Sequence, residues 1–291
     1  MDAFLCIDKP RGLSSFGVVG KVRKLLGERR VGHGGTLDPD ATGVLVVALG
    51  KATRLLQYLP LQPKCYEFGV QFGVETDTLD SVGTVVKSGE RIPSEQELLA
   101  ILPGFVGEQL QEPPRYSAVK IDGERAYALA RKDVSFEMKS KPVTISELEM
   151  VGYDASVGAA QMRTVCTAGT YVRSIARDVA ARLGTVAHTT SIRRTAVGRF
   201  GLDRCVAFDR IETEARGALI SMAAALPGMP SVTLDEQRRV AVCQGRAIAS
   251  DGVIGQPEFG SHVAALGSGG ELVAILSCDD GALRPVCVVG K

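Results

Sequence analysis

The stretch from Arg29 to Gly50, RRVGHGGTLDPDATGVLVVALG, constrains this chain more than any other. Two arginines lead into a glycine-rich turn, an Asp-Pro step follows at Asp38-Pro39, and the apolar run from Val44 to Leu49 reads as a buried strand. Glycine lets the backbone bend where a Cβ would clash, and Pro39 holds the chain just after Asp38. A carboxylate is thus presented on a stiff loop that runs directly into a core strand. A phosphate-cradling loop would end in Gly-Lys-Ser/Thr and open a helix, whereas a strand-like run follows Gly43. Asp38, Asp40, Thr42 and Gly43 match the first half of a calcium loop, but Leu49 stands at the position that needs a bidentate Glu. Two readings stay open on composition alone: a turn that only caps a strand, and a working carboxylate.

With 291 residues, 45% of them hydrophobic, the chain is long enough for one large domain and a small one. It lacks a signal-like N-terminus and any apolar run approaching the roughly 20 residues of a membrane span, which reads as a soluble, cytoplasmic protein. The cysteines at 6, 65, 166, 205, 243, 278 and 287 form no Cys-x-x-Cys pair and suit a reducing compartment. With only His33, His188 and His262 beside them, no structural metal is expected. The net charge of +1 hides a segregation. Residues 1 to 60 hold nine Lys/Arg against five Asp/Glu and residues 161 to 200 hold seven against one, while 61 to 160 and 201 to 291 are net acidic. The two basic segments either form one face for a polyanion or are two ordinary solvated surfaces.

Along the chain, KPRGLSS (9 to 15) gives an extended turn and a Ser14 or Ser15 cap before a helix with Val18, Val19, Val22, Leu25 and Leu26 on one side, ended by Gly27. Lys21, Arg23 and Lys24 on its other face, followed by Arg29 and Arg30, make a phosphate-facing edge. Residues 51 to 59 read as a short amphipathic helix, Cys65 to Phe72 as an alternating strand, and GVETDTLDSVG as a loop between strands. Ser94 with Glu97 is a capping box for a helix to Leu102. Residues 113 to 133 give a proline-broken entry, a short strand, a turn at Asp122-Gly123 and a helix. Gln161 to Thr167 alternates as a strand, 168 to 184 reads as a glycine-started helix with Tyr171 and Arg173 in its first turn, and 189 to 191 as strand before Ile192-Arg193-Arg194. From about Pro230 the texture changes to short β-prone runs with Gly turns, preceded by a polar helix from Asp235 to Cys243. Asp40 has no assigned role beyond solvating its loop.

GHGGTLDPDATGVL closely resembles the catalytic motif of TruB-type tRNA pseudouridine synthases, whose Leu-Asp-Pro aspartate is catalytic. KPRGLSS, the 113 to 133 segment and the C-terminal texture resemble further parts of that family in the same order. One departure is Gly34, which stands where many members have Thr. The resemblance implies an α+β fold: a mixed, largely antiparallel central sheet flanked by helices, the pseudouridine synthase fold, over 1–229, with a T-loop-gripping insertion about 105–141. A small β-barrel-like PUA domain over 230–291 would follow. It further implies isomerisation of uridine at position 55 of the tRNA T-loop with Asp38 as the catalytic residue, by base flipping and without metal or cofactor. Tyr66 would stack on the base, Tyr171 and Ile192 would wall the uracil pocket, Arg173 would pair with Asp38, and His33 would take part in replacing the flipped base. Lys9, Lys21, Arg29, Arg30, Arg193 and Arg194 are the residues expected on the RNA backbone. The expected partner is tRNA, without a guide RNA or a membrane, and the enzyme is expected to be a monomer. Two alternatives stand beside this reading: a guide-dependent synthase of the related H/ACA class, and a non-catalytic tRNA-folding chaperone.

Overall fold

The computed structural model describes residues 1–291 apart from 90, 133, 257, 259, 280 and 291, so that Asp133, at the end of the 113 to 133 segment, and Asp280 lie outside the described residues. Two strands without polar alternation start the fold. Ala3–Lys9 and Thr42–Leu49 are buried along almost their whole length and pair antiparallel toward one end of the main sheet. Such runs suit strands covered on both faces. The main path through this sheet runs Cys205–Ala207, Ala3–Lys9, Thr42–Leu49, Ala187–Val197, Lys64–Phe72, Ala159–Cys166, Lys141–Asp154 and Gly107–Gln111. Along it the pairing is antiparallel except at Ala3–Lys9 with Cys205–Ala207 and at Thr42–Leu49 with Ala187–Val197. The architecture is thus α+β with a mixed, largely antiparallel sheet.

Helices cover the sheet in two places. Ser15–Leu26 is capped by Ser14, whose side chain accepts from the Gly17 N–H, and ends at Gly27 in the left-handed region. Its Val18, Val22 and Leu26 pack on Leu5, Ile7, Leu45 and Val47. Val172–Arg182 lays Ile175, Ala176 and Val179 on Phe68, Val70, Phe72 and Met162. The expected helix start at 168 is shifted: Gly169 has φ 92° and Tyr171 is extended, so 168–171 is a loop and Tyr171 caps the helix. Glu95–Ile101 carries the full Ser94/Glu97 capping box.

Two other expectations are corrected. Gly50–Tyr58 is a 3-10 rather than an α-helix; Ala52, Leu55 and Tyr58, three apart, then fall on one side and enter the core. The acidic stretch after Phe72 is a hairpin, Val74–Thr76 with Val85–Ser88, whose turn passes through Leu79 at φ 60°.

The C-terminal part forms a second, curled six-stranded sheet of PUA-like character around Val232, Leu234, Val263 and Leu276, with the Asp235-capped helix Glu236–Cys243 against it. Both sheets share one hydrophobic cluster, in which Phe4, Val46 and Leu55 meet Ile275, Cys287 and Val289. Lys51 Nζ and Arg54 Nη1 donate to the Val289 and Val288 carbonyls at 2.8 and 2.7 Å across the same junction. Among the described residues no helix is long and apolar enough to cross a membrane. Because Ile275 is fully buried in the shared cluster, Ile275→Ala should lower unfolding stability by about 2–5 kcal/mol in urea titration. A loss below ~1 kcal/mol would mean that the junction is loosely packed.

Candidate active site

The Asp38 loop is held by its backbone. Arg194, 1% exposed, donates from Nε to the Val44 carbonyl at 2.8 Å and from Nη1 and Nη2 to those of Thr36 and Gly35 at 3.3 and 3.1 Å. Lys9, 0% exposed, donates from Nζ to the carbonyls of Pro10, Leu13 and Pro39 at 2.9, 2.6 and 2.9 Å. The Gly12 N–H also donates to Pro39, and the Ser15 hydroxyl both donates to the Leu37 carbonyl and accepts from the Leu37 N–H. Arg11 clasps Asp40 through Nε and Nη2, which holds the Asp40 carboxyl below its ordinary range. Thus KPRGLSS grips the loop from one side and Arg194 from the other. At the loop's end Gly43, at φ 104°, lies against the backbone of Arg194; a Cβ there would sit 2.1 Å from the Arg194 carbonyl oxygen.

Asp38 faces a cavity of about 250 Å³ lined also by Thr36, Leu37, Ala41, Lys64, Tyr66, Ala118, Gly169, Thr170, Tyr171, Val172, Arg173 and Ile192. Arg173, on the first turn of its helix and buried, puts Nη2 2.9 Å from Asp38 Oδ2 and Nη1 3.7 Å from Asp80 Oδ2. The same guanidinium donates to the carbonyls of Thr78 and Tyr116 at 2.7 and 2.9 Å. Tyr66 is 6% exposed and burial pushes its phenol up, against the opposing charge of Arg194. Tyr171 is oriented through its backbone: its N–H donates to Gln111 Oε1 at 2.8 Å and its carbonyl accepts from Gln111 Nε2 at 3.2 Å. Burial also raises the Tyr171 phenol.

Five residues singled out in the sequence, Asp38, Tyr66, Tyr171, Arg173 and Ile192, therefore meet at one cavity. His33 does not line it; its Nδ1 accepts from the Gly35 N–H at 3.3 Å, and burial, then the Arg194 charge, lowers its pKa. The expected RNA-backbone set divides. Lys21, Arg29 and Arg30 are exposed. Lys9 and Arg194 are corrected: their cationic ends are enclosed by carbonyl oxygens, so they brace the loop and cannot reach a phosphate. Arg193 forms a two-pronged pair with Asp8. Pattern reading missed Asp80, Lys64, Gln111 and Ser15 as site residues. Asp80 sits in an aperiodic turn, and Lys64 and Gln111 give no one-dimensional signal of the cavity. Only Ser15 had a trace, as one of two candidate caps.

The model of the TruB family pseudouridylate synthases, N-terminal domain, matches residues 23–172. The chain is 43% identical over 264 residues to tRNA pseudouridine synthase B of Paracoccus denitrificans (strain Pd 1222), covering 89% of this chain and 87% of that protein. It is 38% identical over 298 residues to the protein of the same name from Caulobacter sp. (strain K31), covering 99% and 96%. Among solved structures, a Cbf5-Nop10-Gar1 complex matches with TM-score 0.73 at 26% identity, over 99% of this chain and 84% of that one. An H/ACA RNP bound to a substrate RNA containing 2′-deoxyuridine matches with TM-score 0.75 at 24% identity, over 99% and 85%, which speaks to the fold alone. These matches place the chain in the class of pseudouridylate synthases. It belongs to the TruB family.

Ser15→Ala removes both side-chain hydrogen bonds to Leu37 and leaves its buried N–H and carbonyl without them. A loss of about 1–3 kcal/mol in urea unfolding is expected. Unchanged stability would show that solvent or a neighbour takes over both bonds.

Proposed function

We propose that this chain converts uridine to pseudouridine at position 55 in the T-loop of tRNA, with Asp38 as the catalytic carboxylate. The observation that carries this reading is the Asp38–Arg173 pair at 2.9 Å at the wall of a cavity that also presents Tyr66, Tyr171 and Ile192. Support for tRNA as substrate comes from the relatives at 38–43% identity, each named tRNA pseudouridine synthase B. In this reading residues 1–229 form the catalytic unit, about 105–141 grips the T-loop, and 230–291 is a PUA-like RNA-binding unit.

The chemistry is an isomerisation. The bond from ribose C1′ to uracil N1 breaks, the ring turns, and C1′ is joined to C5, with no net oxidation and no external donor, so neither metal nor cofactor is required. The enzyme has to extrude the base, retain the detached ring and place one carboxylate beside the sugar and C6. Asp38 does this as nucleophile or as the base that takes a sugar proton. Arg173 orients the carboxylate, and its contacts to Asp80, Thr78 and Tyr116 fix the guanidinium in turn. Tyr66 stacks on the extruded ring and Tyr171 with Ile192 closes the pocket. His33, in the strand leading to the loop, stands outside the cavity as a filler for the space that the flipped base leaves.

Tritium release from C5-labelled uridine in an unmodified tRNA transcript, with the purified protein alone and with chelator present, tests the activity. Asp38→Asn should abolish release with tRNA binding largely retained; turnover by that variant would remove Asp38 from its role. No release by the wild type from folded tRNA would favour a guide-dependent enzyme or a chaperone. Arg29→Glu with Arg30→Glu should weaken tRNA binding and flatten its dependence on salt, by about 0.9 in log–log slope for each phosphate that no longer meets a cation. An unchanged slope would exclude that edge from the interface.

A further inference from the structure

Two cationic side chains line the cavity, Arg173 and Lys64. Arg173 is engaged by Asp38, by two carbonyls and, at 3.7 Å, by Asp80. Lys64 is not: among the described residues nothing accepts a hydrogen bond from its Nζ. Lys64 and Tyr66 are two apart on the strand Lys64–Phe72, which points both to the same side of the sheet. The Lys64 Nζ reaches to 3.2 Å from where a Cβ on Gly35 would stand, at the start of the Asp38 loop, and lines the same cavity as Tyr66. A poorly solvated ammonium without a partner is costly to keep, and such groups are found where a negative charge arrives during function.

Resting on the synthase reading above, we propose that the Lys64 ammonium is a catalytic residue, the counter-charge for the uracil ring once its bond to the ribose is broken. When C1′–N1 breaks, the bonding electron pair stays on N1 and spreads to O2 and O4 of the ring. C1′ is captured by the Asp38 carboxylate, or loses a neighbouring sugar proton to it. The turned ring then bonds through C5 to C1′ as the Asp38–C1′ ester bond breaks, or as Asp38 returns its proton to the sugar; the C5 proton passes to solvent and N1 takes one up. Lys64 keeps its proton throughout and holds a ring oxygen while the ring is detached. Asp38 carries the wrong charge for this, and Arg173 is already engaged by Asp38 and two carbonyls.

The ammonium's surroundings give the role a pH signature. Arg194 and Cys166 act on it from the flanking strands, and Tyr66, Asp38, Tyr171 and Arg173 line the same cavity. Burial, reinforced by the Arg194 charge and opposed by the Cys166 thiol, lowers the Lys64 pKa to about 8. The protonated form is the active one, so kcat/KM should fall as pH rises through about 8.

The test is single-turnover tritium release from tRNA as a function of pH, with tRNA affinity measured in parallel, for wild type, Lys64→Met and Lys64→Arg. Lys64→Met should release tritium about 10²-fold more slowly, as for loss of one charge-stabilising donor, with affinity within about threefold and the alkaline fall abolished. Lys64→Arg should recover most of the rate and keep it to higher pH, which also shows that the position tolerates substitution. An alkaline fall that persists in Lys64→Met would belong to another group, such as Lys9, which burial also lowers to about 8, and would overturn the proposal. So would a rate within a few-fold of wild type, or a loss of affinity in place of rate, which would assign the ammonium to a backbone phosphate. A wild type that releases no tritium fails the synthase reading and this role with it, whereas wild-type release matched by Lys64→Met overturns this role alone.

Discussion

Two buried cations held by backbone carbonyls, rather than by carboxylates, set the position of the site. Lys9 and Arg194 each make three such bonds, and between them they reach the carbonyls of Gly35, Thr36, Pro39 and Val44. A hydrogen bond to a charged group contributes roughly 1.5–3 kcal/mol, and a buried charge stripped of its partners costs more than that. The loop is therefore fixed by groups that have nowhere else to go. Because carbonyls are neutral, the positive charge is not cancelled; burial and, after it, the Arg194 charge lower the proton affinity of His33 and Lys64.

The hydrophobic register supplies the geometry. Thr42–Leu49 and Ala187–Val197 pair parallel only at Thr42 with Arg193 and Gly43 with Arg194, where the Asp38 loop enters the sheet. The lack of a side chain at Gly43 allows the close approach there. On the far side Arg173 enters from the helix Val172–Arg182, whose apolar residues are committed to the Phe68–Phe72 core, so its guanidinium is directed at Asp38 by packing. The turn through Leu79, at positive φ, brings Thr78 and Asp80 to the same guanidinium. Backbone strain of this kind persists where surrounding contacts over-determine it.

Much of this was legible in one dimension. The uninterrupted apolar run from Val44 to Leu49 announced its strand, Ser14 and Gly27 bounded the first helix, and the change of texture near Pro230 marked the second sheet, because periodicity, caps and turns are local properties. The family motif carried Asp38, Tyr66, Tyr171, Arg173 and Ile192, and the fold brings all five to one cavity. The sequence by itself determined these elements and the identity of the carboxylate loop, since they depend on residues close along the chain. Which cations face outward was decided only by the tertiary structure. Lys9 and Arg194 look like surface charges in a basic segment, yet partners up to 159 positions away enclose them. Lys64, inconspicuous in the sequence, becomes the unpartnered charge of the cavity because its strand pairs with two others far along the chain, which put Cys166 and Arg194 around it. Charge segregation can be counted along a chain, but solvation is a property of three-dimensional neighbours, and it decides whether a cation meets a phosphate, braces a loop or waits in a pocket.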